Sequence, residues 1–474
     1  MKTIRLLILV VLACSFFHRH ALADQFHYQN FVIGDRAIGL GGAYGGVSDD
    51  ASGVFYNPAG SAFALSNDIS GSANAMYNKK VVFKETIGGQ DFVESSSGSV
   101  PSFFGGLLKI DHILEGLVFA WGIYSLDSEL KDQDDLFKNI TLSPGSPCEI
   151  SGGGTGPAAP DNVLKRFHRT VNSRGATEYI GASLGWRFSN SVAVGFGANY
   201  VKVDELIQEY QDVKQSSKFC KTDGSYEEGT YNLTQNIRQQ LTAYGLQPVL
   251  GIQASLFGRL SIGLTLKFGT YFSQNFEQTR EARVFKLLNS HQTAIEDNSR
   301  QSNDLWTIQE DNDVLAANFS PGEPYTEEKP LGSMPGNYRL GLAYFASPRM
   351  LLALDLVHVA SVTDASTMYR KDAVTNMNFG IEYYVMPAVP VRLGVFTNND
   401  ARPTVIKNKV NQRNHIDYIG SSLFASWVQP NSQIGAGIVL QNGSGDAQKI
   451  GGSQSIQDVE AQSFTFAFSA TTTL

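Results

Sequence analysis

Few residues in this chain have the types and spacing for covalent chemistry. Asp49-Asp50 is an adjacent carboxylate pair. It could ligate a metal, or one member could accept the free N–H groups of a short helix starting near Ala51. The run Ser151-Gly152-Gly153-Gly154-Thr155-Gly156-Pro157 is rich in glycine, as phosphate cradles are. Such a cradle needs a strand before it and a helix after it, and neither is legible here, so a surface loop is expected. Eight histidines are scattered along the chain, two of them (His18, His20) near its start. There is no zincin histidine pair and no Walker lysine. The reading is a non-enzyme with no cofactor and no metal site. What stands out instead is a set of charges, Arg187, Lys267, Arg339, Asp355, Glu382 and Arg392. Each is expected mid-strand, in the phase occupied by Gly, Ser and Thr rather than by Leu, Phe and Val.

The elements that carry those charges follow from the ends and the composition. Met1–Ala23 has Lys2 and Arg5, an apolar stretch from Leu6 to Phe17, and the small-x-small site Ala21-Leu22-Ala23. It reads as a signal peptide cleaved before Asp24. A lipoprotein signal ending at Cys14 is the alternative. Beyond it no run approaches the ~20 apolar residues of a membrane helix. Yet the chain holds 46 glycines, 29 phenylalanines and 19 tyrosines, with only 17% charged residues. That suits transmembrane strands, in which only alternate residues face lipid. The net charge of −8 offers no basic surface for nucleic acid.

From residue 68 onward segments alternate with period two. Leu260, Ile262, Leu264, Leu266 and Phe268 interleave with Ser261, Gly263, Thr265, Lys267 and Gly269. Leu352, Leu354 and Leu356 interleave with Ala353, Asp355 and Val357. About fourteen such strands are expected, forming an all-β, antiparallel, up-and-down transmembrane barrel over 68–474. The expected strands are 68–85, 101–110, 115–127, 176–188, 191–207, 238–256, 259–275, 336–346, 350–362, 374–386, 389–400, 415–428, 433–442 and 458–474. Tight turns such as Phe188-Ser189-Asn190-Ser191 alternate with long polar connections at 128–175, 208–237 and 276–335. Short turns on one rim and long loops on the other are what an outer-membrane barrel shows, and a soluble sandwich has no reason to sort its loops this way. Phe464, Phe466 and Phe468 on the last strand suit recognition by the outer-membrane assembly machinery. Cys148 and Cys220 fall in two of the long loops, on one rim. In an exported chain they are a disulfide candidate, the alternative being two free thiols.

Ahead of the strands lies Gly34-Asp35-Arg36-Ala37-Ile38-Gly39-Leu40-Gly41-Gly42-Ala43-Tyr44, followed by Asp49-Asp50-Ala51-Ser52 and Asn57-Pro58-Ala59-Gly60. Glycine this dense is poor material for a helix or strand interior. It suits a compact segment packed backbone-to-backbone, and Pro58 should end any helix started at Ala51. Over residues 24–63 the chain resembles the N-terminal plug of the outer-membrane long-chain fatty-acid and toluene transporters (FadL-like). Phe26 and Phe31 stand at that family's spacing.

The resemblance implies a plug at 24–67 closing the barrel, with Gly39, Gly41, Asn57, Pro58 and Ala59 as gate architecture. It implies capture of fatty acids or hydrocarbons in an apolar pocket and a sideways exit near a distorted third strand, where Gly116 and Gly122 lie. Phe26 and Phe31 then either reach the pocket or pack the plug against the wall. The implied protein is a monomer in the outer membrane of a Gram-negative-type bacterium. The lumen charges are expected to pair with one another and with the plug. A barrel of the same kind that docks secreted proteins at the cell surface is the competing reading.

Overall fold

In the computed structural model the described residues are 24–143, 162–220, 225–288, 294–296, 325–410, 412–449 and 455–474. The first three hairpins are β1 (Asp68–Ile87) with β2 (Gln90–Lys109), β3 (Leu117–Ser143) with β4 (Asn162–Arg187), and β5 (Val192–Cys220) with β6 (Tyr226–Leu256). Then β7 (Leu260–Lys267) and β8 (Thr270–Leu288) form two halves of one wall strand. The short β9 (Ala294–Glu296) and β10 (Tyr325–Glu327) add to β8. The wall is completed by β11 (Asn337–Ser347), β12 (Met350–Val359), β13 (Val374–Met386), β14 (Val389–Asn398), β15 (His415–Gln429), β16 (Ser432–Ala447) and β17 (Gln457–Thr473). Every pairing is antiparallel, and β17 returns to β1 with Thr473 opposite Asp68, closing a barrel of fourteen wall strands.

The direction of burial separates this barrel from a soluble one. On β15 Tyr418, Ser422, Phe424 and Ser426 are buried, while Ile419, Leu423 and Trp427 are exposed. On β7 Ser261, Thr265 and Lys267 are buried and Leu264 is exposed. Polar and small side chains point inward, together with aromatics such as Phe424 that pack in the lumen, while the outward face is large and apolar, the inverse of a water-soluble surface. Only a lipid surround makes that arrangement stable.

Two expectations are corrected. The stretches 128–175 and 208–237, expected as long polar connections, are mostly strand, because β3 to β6 run on well past the lipid-facing band. Their inward phase still carries Ile140, Leu164, Phe167, Val213 and Leu233, which pack with Phe83 and Phe92 into a second core above the membrane. Polar outward residues hide that alternation in the sequence. The second strand likewise begins at Gln90 rather than near 101, after a tight outer turn in which Gly88 and Gly89 take positive φ.

Residues 24–64 lie inside the barrel. They form α1 (Asp35–Gly39), α2 (Gly53–Tyr56) and a 3-10 turn (Gly60–Phe63). Ile33, Leu40, Tyr44, Val54 and Tyr56 are buried there. Glycine is required where this segment meets the wall. A Cβ on Gly394 would fall 2.2 Å from the Gly41 nitrogen, and one on Gly341 2.3 Å from the Gly46 nitrogen. Glycine from the segment thus meets glycine from the wall, so two backbones touch where side chains would hold them apart. The helix expected from Ala51 starts two residues later. Asp50 Oδ1 accepts from Ser52 N at 2.8 Å, a local turn ahead of α2 rather than a cap on it.

Candidate functional site

The inner segment is held by the wall charges. Arg392 Nε lies 2.7 Å from Glu382, and its Nη1 lies 2.9 Å from Asp35 of α1. Arg36 donates to Glu382 at 2.8 Å and to Asp49 at 2.9 Å, and Tyr44 Oη donates to Asp49 at 2.8 Å. Ser426, Ser469 and Gln433 also donate to Asp35. Beside this chain Arg339 contacts Asp355 at 2.6 Å and the Gly42 carbonyl at 3.0 Å. Asp355 in turn accepts from Tyr44 N and Gly45 N. Desolvated charges of both signs, each with several partners, form a structural lock here.

Of the six charges singled out, Arg339, Asp355, Glu382 and Arg392 thus come together around the inner segment. Lys267 instead lies over the Phe55 ring of α2, its ammonium 3.4 Å from the centroid, a ring that Arg339 also approaches at 5.9 Å. Arg187 is a correction. It is the last residue of β4, exposed at the rim, with its guanidinium 5.9 Å from the Phe63 ring, so it is not a mid-strand lumen charge.

Asn57 Nδ2 donates to Gly45 O and, across to the wall, to Ile252 O of β6, while its Oδ1 accepts from Ala59 N. Pro58 and Ala59 lie against Gly195 of β5, whose Cβ would meet the Ala59 nitrogen at 2.3 Å. Gly39 packs under Arg392, and Gly41 under the backbone of β14. Asn57, Pro58, Ala59, Gly39 and Gly41 therefore sit at contacts between segment and wall. Cys148 lies outside the described residues, and only the backbone of Cys220 is described, at the end of β5.

The tail ahead of α1 crosses the upper lumen. Phe31 N donates to Leu126 O at 3.0 Å, and the Phe31 ring lies edge-on to Tyr77 at 5.3 Å. This is where the wall is incomplete. β2 and β3 pair only from Phe103–Tyr124 down to Lys109–Val118. Above that point β2 pairs with β1 and β3 pairs with β4, and β3 bulges between Ser125 and Asp127. The outer halves of β2 and β3 meet again through side chains, Gln133 donating to Val93 O at 2.6 Å.

Phe26 sits in an apolar cluster with Val203, Leu241, Phe276, Leu331, Met334 and Tyr369. Cations ring it. The Arg402, Arg413 and Lys371 head groups lie 4.3, 5.5 and 5.7 Å from its centroid. A cavity of about 210 Å³ adjoins it, lined among others by Lys79, Lys131, Tyr369 and Tyr418. Burial pushes the Lys371 ammonium down to about 8, with Asp24 opposing the shift.

His27, Lys371, Arg402 and Arg413 were not found from the sequence. Three of them lie in connections 360–373 and 399–414, which fold inward rather than outward. The buried Val362, Ala365 and Tyr369, in a segment without period-two alternation, are the one trace of this.

The protein is a closed transmembrane β-barrel of the outer membrane with its N-terminal segment folded inside. No family model and no curated protein sequence matches the chain. Solved structures do match its fold. A Pseudomonas aeruginosa FadL homologue superposes with a TM-score of 0.59 at 12% identity, over 96% of this chain and 99% of that one. The CymD monoaromatic hydrocarbon channel gives 0.51 at 11% identity over 94% and 99%. The Pseudomonas putida toluene transporter TodX gives 0.51 at 10% identity over the same shares.

Proposed function

We propose that this protein carries hydrophobic compounds, long-chain fatty acids first among them, across the outer membrane. It would do so as a mature chain beginning near Asp24. The observation that carries the reading is the apolar cluster around Phe26 with Arg402, Arg413 and Lys371 at its edge. A neutral hydrocarbon needs only the apolar part. A fatty acid needs both, gaining ~0.8 kcal/mol per buried CH₂ and a partner for its carboxylate. Phe26 occupies the place an acyl chain would take, and so acts as a stopper that cargo displaces.

The inner segment is the gate, locked through Asp35, Arg36 and Asn57. Cargo leaves through the unpaired stretch between β2 and β3. Passage there breaks no main-chain ladder, and the Cβ position of Gly98 faces open space. Phe31 stands at this gap as its inner cover.

Uptake of radiolabelled long-chain fatty acid and of toluene is to be compared in a strain lacking its own transporter. The protein should restore fatty-acid uptake. Arg413→Gln should weaken fatty-acid uptake and leave toluene entry unchanged. No uptake of either compound would overturn the reading.

A further inference from the structure

The barrel wall is interrupted a second time, five strands further round from the β2–β3 gap. β7 leaves the ladder at Lys267, the last residue paired with both Val249 of β6 and Asn337 of β11. β8 resumes at Thr270 opposite Leu246, but it has no β11 partner, and β10 meets it only from Phe276 onward. Phe272 is bulged out of the β6–β8 register. From Thr270 to Asn275 the neighbour on this side is the non-strand segment 328–336. A side chain holds it there: Gln274 accepts from Leu331 N at 2.9 Å and donates to Gly332 O at 2.8 Å.

Each side of this break is apolar. Leu331 and Met334 face inward, in the same cluster as Phe26, Phe276 and Tyr369. Phe268 and Phe272 face outward, 50% and 64% exposed, in the lipid-facing phase. Met334 fills the space between the two sides. A Cβ on Gly245 would fall 2.1 Å from its methyl carbon, and one on Gly269 2.7 Å from its sulfur. Two glycines thus form the notch that one methionine occupies. Met is unbranched, with three rotatable bonds, and vacates such a notch by changing rotamer alone. Opening the ladder elsewhere would strand backbone groups in hydrocarbon at several kcal/mol each. Lys267, under Phe55 of α2, joins this break to the inner segment.

We propose that this break is a second lateral portal, gated by Met334, through which apolar cargo passes between the Phe26 chamber and the membrane. The proposal rests on the transport reading above. It adds a path that the β2–β3 gap does not supply, and it gives the Gln274 clamp the role of a latch.

The test uses the full-length protein with Cys148→Ser and Cys220→Ser, and bifunctional maleimide tethers containing a reducible disulfide. One tether joins Gln274→Cys to Leu331→Cys across the second break. The other joins Tyr77→Cys to Leu126→Cys across the first gap. Uptake of radiolabelled long-chain fatty acid is read before and after reduction, so a misfolded variant is recognised by its failure to recover. The expected result is partial loss with either tether, complete loss with both, and recovery on reduction. With the first gap tethered, Met334→Ala should raise the residual uptake. If the Gln274–Leu331 tether leaves uptake unchanged while the Tyr77–Leu126 tether abolishes it, the second portal is overturned and lateral transport stands. If uptake survives both tethers, lateral passage fails altogether.

Discussion

Nδ1 of His27 lies 2.6 Å from Oδ2 of Asp24, while Nε2 of the same ring lies 2.8 Å from the Ile416 carbonyl. A carbonyl only accepts, and Asp24 already accepts from Arg402 at 3.1 Å. Both ring nitrogens must therefore donate, and His27 is an imidazolium in a buried site. Burial pushes its pKa down, but the Asp24 and Asp400 carboxylates outweigh that and hold it above the usual 6.5. The same pairing, with Arg402, holds Asp24 well below 3.8 against its own burial.

A raised histidine pKa contributes anchoring that is complete below about 6.5 and is lost as pH climbs through the folded-state value. Residues 24–30 should become accessible to protease in alkaline buffer and stay protected in mildly acidic buffer. His27→Gln should remove the step. Equal accessibility of the unaltered protein across that range would refute this anchoring by His27.

Gly394→Val places a branched side chain where the Gly41 backbone now lies. Overpacking of this kind costs ~1–3 kcal/mol, and it falls on the contact between segment and wall rather than on the ladder. The barrel should still insert and still shift its gel mobility on boiling, but conduct ions in planar bilayers. Deletion of 24–63 should conduct more strongly. Conductance of the deletion no greater than that of the intact chain would mean this segment is not the gate.

Arg392→Ala leaves Asp35 and Glu382 buried without their shared cation. Breaking a buried pair from one side costs about 3–5 kcal/mol. Denaturant unfolding should show that loss, and the double variant Arg392→Met with Asp35→Leu should recover part of it.

Cys148 and Cys220 are expected to be joined in the exported protein. Thiol labelling of unfolded, unreduced chains should detect no free thiol. Two labels per chain would refute the bridge.

The barrel was legible in the sequence because its cause is local. Alternation such as Leu264-Thr265-Leu266-Lys267 specifies which face meets lipid, and each strand shows it without reference to any other. The glycine-rich inner segment was legible for a similar reason, since glycine at positions 39, 41, 45 and 46 leaves room for no long strand or helix and suits close backbone packing.

What the tertiary structure alone decided is pairing. Polar outward residues masked the extension of β3 to β6 above the membrane. The break after Lys267 was invisible, because Phe268-Gly269-Thr270 continues the alternation of a single strand. It is the non-strand path of 328–336 that leaves β8 without a neighbour there. The cations around Phe26 come from two connections on either side of the β13–β14 hairpin, Lys371 from one and Arg402 and Arg413 from the other. They meet only because those connections fold inward over a barrel wide enough to admit them, and no spacing along the chain encodes that distance.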